Sequence, residues 1–158
     1  TGLAAPLLRA YARRLVGVDL SPRMLDKARR TGLYDDLIEQ ELTAYLAGHP
    51  HSFDLIASAD TLCYFGDLSD VLRAAATALR GDGLLVFTVE KATADEAAQG
   101  YLLRYHGRYS HTPAYVEQQL ARAGLVQALV SEAVLRRECG QPVQGLTIAA
   151  RAAPARPG

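Results

Sequence analysis

The chain has 158 residues, 49% of them hydrophobic, and its 17 basic and 17 acidic side chains leave no formal net charge. That length suits one domain with a real core rather than two of ordinary size. Neutral charge gives no strong field toward nucleic acid or anionic lipid. Cys63 and Cys139 form no CxxC pattern of a zinc site or disulfide framework, and no apolar run approaches the ~20 residues of a bilayer span, so a reduced cytoplasmic setting is expected.

Leu3 to Ala12 carries Leu3, Leu7, Leu8 and Tyr11 at helical spacing, with Pro6 in the first turn, where a proline costs little. Leu15 to Val18 reads as a strand tipped by Asp19. Ser21-Pro22 then supplies an N-cap and first residue for a helix with Met24, Leu25 and Ala28 on its buried side and Gly32 as its stop. With Ser21 as the cap, Asp19 is left free for a ligand. Leu37 to Leu42 is a short strand with Glu39 and Glu41 near its end, followed by a helical turn over Thr43 to Ala47. Ser52 to Ser58 is a near-continuous apolar run, expected to be covered on both faces. Leu68, Val71, Leu72, Ala75 and Leu79 predict a helix that Gly81-Asp82-Gly83 ends before a strand over Leu84 to Val89. This alternation predicts α/β architecture with a parallel sheet.

Beyond Glu90 the rhythm changes. Residues 91–111 turn polar, then aromatic and basic, and read as a substrate-facing insertion. Thr112-Pro113 starts a helix that Gly124 stops, and Leu125 to Arg136 and Val143 to Arg151 read as a hairpin joined by Cys139-Gly140-Gln141-Pro142. The domain is expected over residues 1–151, with 152–158 a disordered, Pro- and Ala-rich tail. Arg13-Arg14, Arg29-Arg30 and Arg136-Arg137 read as solvated element ends.

An acidic residue at a strand tip can accept hydrogen bonds from both hydroxyls of a ribose, and open parallel sheets hold ligands at the carboxyl ends of their strands. Thr1-Gly2 reads as the tail of a glycine-rich loop. In chain order, Thr1-Gly2, Val16-Gly17-Val18-Asp19-Leu20-Ser21, Phe53-Asp54-Leu55-Ile56 with Asp60-Thr61-Leu62, and Leu79-Arg80-Gly81-Asp82-Gly83-Leu84-Leu85 resemble the motifs of class I S-adenosylmethionine-dependent methyltransferases. The resemblance covers nearly the whole chain, with Asp82 replacing a usual glycine. It implies a Rossmann-like open twisted sheet of mostly parallel strands with a C-terminal antiparallel hairpin, and a first central strand missing from this chain. A fragment without that strand is expected to be unstable or to fill the gap by other pairing. Gly32 to Leu37, Asp60 to Leu68 and Gly107 to His111 further resemble predicted bacterial methyltransferases that follow tetratricopeptide repeats, which implies such a region upstream.

The resemblance assigns S-adenosylmethionine as cofactor, with Asp19 and Leu20 at the ribose and Gly2 beside the methionyl part. Met24 packs on the nucleoside or belongs to the core. Glu41 and Leu42 lie near the adenine, with Glu39 as the alternative acidic residue. Asp60, Thr61 and Leu62 lie where the methionyl end and the acceptor meet, although Asp60 is equally suited to capping the next turn. Tyr64, with Cys63 and Phe65, forms a lip able to cover a sulfonium by cation–π attraction. His106 or His111 is the candidate general base, since imidazole titrates near neutral pH, and Arg108 holds an acidic group of the acceptor or braces the loop. No metal site and no nucleophilic role for Cys63 are expected. The acceptor is unidentified, with a small molecule favoured over a protein. An NAD-dependent oxidoreductase and a non-catalytic binding module remain the competing readings.

Overall fold

Residues 2–152 are described in the computed structural model, except for the side chains of residues 127 and 128, and the chain divides between Gly48 and His49 into two units. The first comprises α1 (Ala5–Arg9), β1 (Val16–Asp19), α2 (Pro22–Arg29), β2 (Asp36–Glu39) and α3 (Leu42–Ala47). Strands β1 and β2 pair in parallel, in register from Val16↔Asp36 to Asp19↔Glu39. Both therefore end in a carboxylate at the same edge. Leu25 and Ala28 of α2 are buried, and Gly32 follows the helix at φ +66° with its N–H on the Arg29 carbonyl at 3.1 Å, as its sequence position predicts. Gly17 has a packing reason, because a Cβ there would meet Leu37 at 2.7 Å and the Tyr34 ring at 2.9 Å.

Helix α1 is shorter than the Leu3 to Ala12 expected, and Leu3, Leu7 and Tyr11 are exposed. Ala4 offers no side-chain cap, and a single turn without cap or buried stripe does not propagate.

The second unit comprises β3 (Phe53–Ser58), a 3-10 turn (Leu62–Tyr64), α4 (Ser69–Ala78), β4 (Leu79–Lys91), β5 (Tyr101–Leu103), β6 (Tyr109–His111), α5 (Pro113–Arg122), β7 (Leu125–Glu138) and β8 (Gln141–Ala152). The sheet order is β5-β6-β4-β8-β7, with β3 also on β4. Over the two units the sheets are more evenly mixed than the mostly parallel arrangement expected. The pairs β1/β2, β3/β4 and β4/β6 are parallel, whereas β4/β8, β5/β6 and β7/β8 are antiparallel. Strand β8 runs to Ala152, the first residue of the expected tail; Thr1 and 153–158 lie outside the described residues.

The core of this unit follows strand alternation. Leu85, Phe87 and Val89 of β4 stand opposite Ala150, Ile148 and Leu146 of β8, and all six are at most 2% exposed. Val71, Leu72 and Ala75 of α4 and Val116 and Leu120 of α5 are buried as well. Each such leucine, isoleucine, valine or phenylalanine contributes about 1.5–3 kcal/mol. The expected stop at Gly81-Asp82-Gly83 lies inside β4 as a bulge, with Asp82 at φ +62° and the register jumping from Phe53↔Leu79 to Leu55↔Leu84.

Strand β3 departs from the expectation of a run covered on both faces, since Asp54, Leu55 and Ala57 are exposed. Among the described residues β3 pairs only with β4, and β1 only with β2. Each of these two strands thus has one unpaired edge among the described residues. Among the described residues no helix is long and apolar enough to cross a membrane.

Two substitutions separate capping from packing. Thr112 accepts the Tyr115 N–H at 3.2 Å at the start of α5, so Thr112→Ala is expected to cost about 1 kcal/mol. A Cβ at Gly145 would fall on the Leu135 side chain and lie 2.7 Å from the Val89 carbonyl oxygen. Gly145→Ala is therefore expected to cost about 1–3 kcal/mol or more. Denaturant unfolding of both variants checks the order.

Candidate active site

In the first unit the site residues gather at the carboxyl end of β1. Asp19 terminates the strand, and its Oδ1 accepts the Ser21 N–H at 2.8 Å, closing the turn into α2. Ser21 makes no side-chain cap bond. The expected division of labour is therefore reversed: Asp19 serves the turn with one oxygen, and its Oδ2 has no hydrogen bond among the described residues. Leu20 beside it is 66% exposed. Met24 is half-buried and, with Gly2, Gly17, Val18 and Asp19, lines a hollow of about 50 Å³ within this unit. That is far below the ~300 Å³ at which ordinary ligand pockets begin.

Gly2, at φ +79°, is needed for the unit's own packing. A Cβ there would lie 3.1 Å from the Thr31 side chain and 3.2 Å from the Ala28 Cα. Glu41 is the N-cap of α3: Oε1 accepts the Thr43 N–H and Oε2 the Ala44 N–H, each at 2.8 Å. Burial raises its pKa, but these amides outweigh burial and hold it below the usual glutamate range. With both oxygens engaged, Glu41 is placed for capping rather than for an adenine. Leu42 is the half-buried first residue of α3, and Glu39 is the exposed carboxylate at the tip of β2.

In the second unit, Asp60 follows β3 at φ +55°, a conformation that non-glycine residues adopt at a cost. Its N–H donates to the Thr88 hydroxyl at 3.0 Å, and its Oδ1 accepts from Arg136 Nη1 at 2.8 Å. Thr61 is exposed and donates to the Ala59 carbonyl at 3.3 Å, while Leu62 and Cys63 turn inward. Burial, then the nearby Asp60 charge, pushes the Cys63 thiol up to about 11, which keeps it protonated and inert at neutral pH. Tyr64 faces outward at 59% exposure, with the Arg108 guanidinium 5.5 Å from its ring centre and donating to its hydroxyl at 3.3 Å.

The two histidines have different environments. His111 is fully buried, its Nε2 lies 3.0 Å from the Gly66 carbonyl, and its ring stacks on Tyr115 with centres 5.9 Å apart. Burial lowers its pKa despite the Gly66 and Phe65 carbonyls and the Glu90 charge, so it stays neutral and packed rather than available as a base. Its neighbours Tyr101 and Tyr109 likewise pack against one another, 6.0 Å between centres. Within the expected substrate-facing segment, residues 93–96, 98, 99, Leu103 and the loop tip with Tyr105 and His106 are exposed, and Arg108 is half-buried. His106 is partly exposed, with Nε2 3.8 Å from Glu90 Oε2.

The sequence reading missed the group that organises this end of the sheet. Arg136 is 18% exposed and touches three carboxylates: Nη1 reaches Asp60, Nη2 reaches Glu90, and Nε reaches Glu138 at 2.7 Å. Burial works against the charge, but these partners raise the Arg136 pKa further above its ordinary value. Arg108 adds a contact to Glu138 at 3.2 Å. Strand period was the available signal, because Arg136 and Glu138 share one face of β7 and Arg137 takes the other.

The comparisons agree with this architecture. A methyltransferase-domain family model matches residues 1–87, more than half of the chain, and the chain belongs to that family. Its fold is similar to an S-adenosylmethionine-dependent methyltransferase from Methanosarcina mazei, with TM-score 0.75 and 14% identity over 96% of this chain and 87% of that one. The N-methyltransferase NodS from Bradyrhizobium japonicum, solved with S-adenosylhomocysteine, gives TM-score 0.68 and 19% identity over 96% and 72%. A methyltransferase from Mesorhizobium loti gives TM-score 0.63 and 24% identity over 89% and 81%. No curated protein matches. The chain is thus a methyltransferase-domain protein whose fold is that of solved S-adenosylmethionine-dependent methyltransferases.

Thiol alkylation near pH 8 checks the placement of the cysteines. Exposed Cys139 is expected to react in the native state, and buried Cys63 only after unfolding.

Proposed function

We propose that the first unit holds the nucleoside of S-adenosylmethionine through Asp19 and that the second unit holds a small-molecule acceptor around Asp60, Tyr64 and His106. The observation that carries the first half is a strand-tip carboxylate with Oδ1 committed to the Ser21 turn and Oδ2 without a hydrogen bond among the described residues. A ribose diol is the ligand such an oxygen suits. Leu20 and Met24 flank the nucleoside, and Leu42 with Glu39, rather than Glu41, stands on the adenine side. Gly2 keeps the start of the chain close to α2.

The donor supplies an activated methyl group, so the protein's task is alignment and exclusion of water. Tyr64 offers an aromatic face, and His106 is the base that takes the acceptor proton. A small acceptor is favoured by the recessed polar groups: Glu90 is 3% exposed, and Arg108 and Arg136 are largely covered.

Calorimetric titration tests the donor assignment. S-adenosylhomocysteine is expected to bind and NADH not to bind. Asp19→Ala is expected to lose about 1.5–3 kcal/mol of that affinity, in the range of hydrogen bonds to a charged group. Asp19→Asn keeps an oxygen for the Ser21 amide, so a loss in that variant reports the ligand rather than the turn. Unchanged affinity in both would remove Asp19 from the ribose.

A further inference from the structure

The β5–β6 hairpin is held differently at its base and at its tip. At the base, the Tyr101 and His111 rings pack with Tyr115, their centres 5.3 to 6.0 Å apart, and β6 joins β4 at Glu90↔Ser110 and Lys91↔His111. The tip, residues 104–107, closes on itself. Its Gly107 N–H donates to the Arg104 carbonyl at 2.9 Å, and Gly107, at φ +82°, has open space where a Cβ would stand. Where this turn meets the end of β4 the contact is ionic: His106 Nε2 lies 3.8 Å from Glu90 Oε2.

Glu90 is 3% exposed and meets Arg108 and Arg136 at its other oxygen. Asp60 after β3 and Glu138 of β7 contact the same two guanidiniums, so three carboxylates face two fixed cations. Arg108 also donates to the Tyr64 hydroxyl, and the neighbouring cations Lys91 and Arg104 are paired with Glu132 and Glu96. Neutral His106 leaves the group one positive charge short. Protonated His106 balances it, imidazole changes charge near neutral pH, and its nitrogen stands only about 1 Å beyond hydrogen-bond length from Glu90. We propose that the 104–107 turn is a proton-operated clasp, drawn onto Glu90 when His106 is protonated and let go when it is neutral. The clasp does not depend on His106 also taking a proton from an acceptor. It is closed on the acid side and opens as pH rises through the titration of His106. His111 acts in the opposite sense: burial holds its pKa below the ordinary histidine value, so acid loosens the base of the hairpin, and tightening at low pH cannot come from it.

Cleavage of the whole chain by an arginine-specific protease after Arg104 and Arg108 reads the clasp. Each rate is divided by that of a free peptide of residues 101–111 carrying the same residue at position 106, which removes the protease's own pH dependence. Going from near pH 8 to near pH 6, the normalised rate is expected to fall about three- to tenfold, the range for one partly covered charge-assisted contact. His106→Gln is expected to show no such fall. His106→Lys, which keeps a cation at both pH values, is expected to be cleaved slowly at both. Position 106 lies on an exposed turn, so both variants are expected to fold. A rate that stays level or rises toward pH 6 in the unchanged chain overturns the proposal. So does a fall that persists in His106→Gln, or rapid cleavage of His106→Lys at either pH.

Discussion

The contact on which the carboxyl end of β4 depends is the one between Glu90 and Arg136. Glu90 is the penultimate residue of β4, nearly sealed from water, and a carboxylate in that position is tolerated only with a cation against it. Arg136 supplies the cation from β7, 46 residues further along. The same guanidinium reaches Asp60, so the loop after β3 is held by the strand that closes the domain. Removing the arginine would strand a buried charge and free the Asp60 turn together. Stability and the geometry of the Asp60 turn share one side chain here.

That arrangement is possible because the β7–β8 hairpin is long. Strand β8 lies against β4 from Leu84↔Arg151 to Glu90↔Gly145, and β7 lies against β8 over its length. The apolar alternation that buries Leu146, Ile148 and Ala150 fixes this register, since a one-residue slip would turn those side chains to the opposite face. Gly145 leaves room for both the Leu135 side chain of β7 and the Val89 carbonyl, each of which a Cβ there would meet. Core packing therefore delivers Arg136 and Glu138 to the carboxyl end of β4, where ligands of open α/β sheets bind.

In the first unit, local turns and ligand chemistry compete for the same carboxylates. Asp19 and Glu41 both stand before helices, where free N–H groups are ready donors. Glu41 gives both oxygens to α3, and its capping is complete. Asp19 gives one to Ser21 and retains the other. The two residues look alike in sequence, yet differ by an oxygen that matters for binding.

Legible in the sequence, unlike β5 and β6 within 91–111, were the elements from β1 to β4, helix α5 and the terminal hairpin, the cap at Thr112, the stops at Gly32 and Gly124 and the family. These follow from local rules: hydrophobic period, capping residues and the backbone freedom of glycine act within a few residues of one another. It also located Asp19 and Asp60, because strand tips are legible from the apolar runs they end. The roles of Glu41, His111 and Arg136 were decided by tertiary structure. Glu41 looked like a ligand residue until α3 formed on it; His111 looked like a base until the Tyr101, Tyr109 and Tyr115 rings and the Gly66 carbonyl enclosed it. Arg136 looked solvated until Asp60 and Glu90 arrived from elsewhere in the chain. Spacing in a sequence reports neighbours within an element, whereas an ion pair between residues 76 positions apart exists only once the sheet has brought its strands into register.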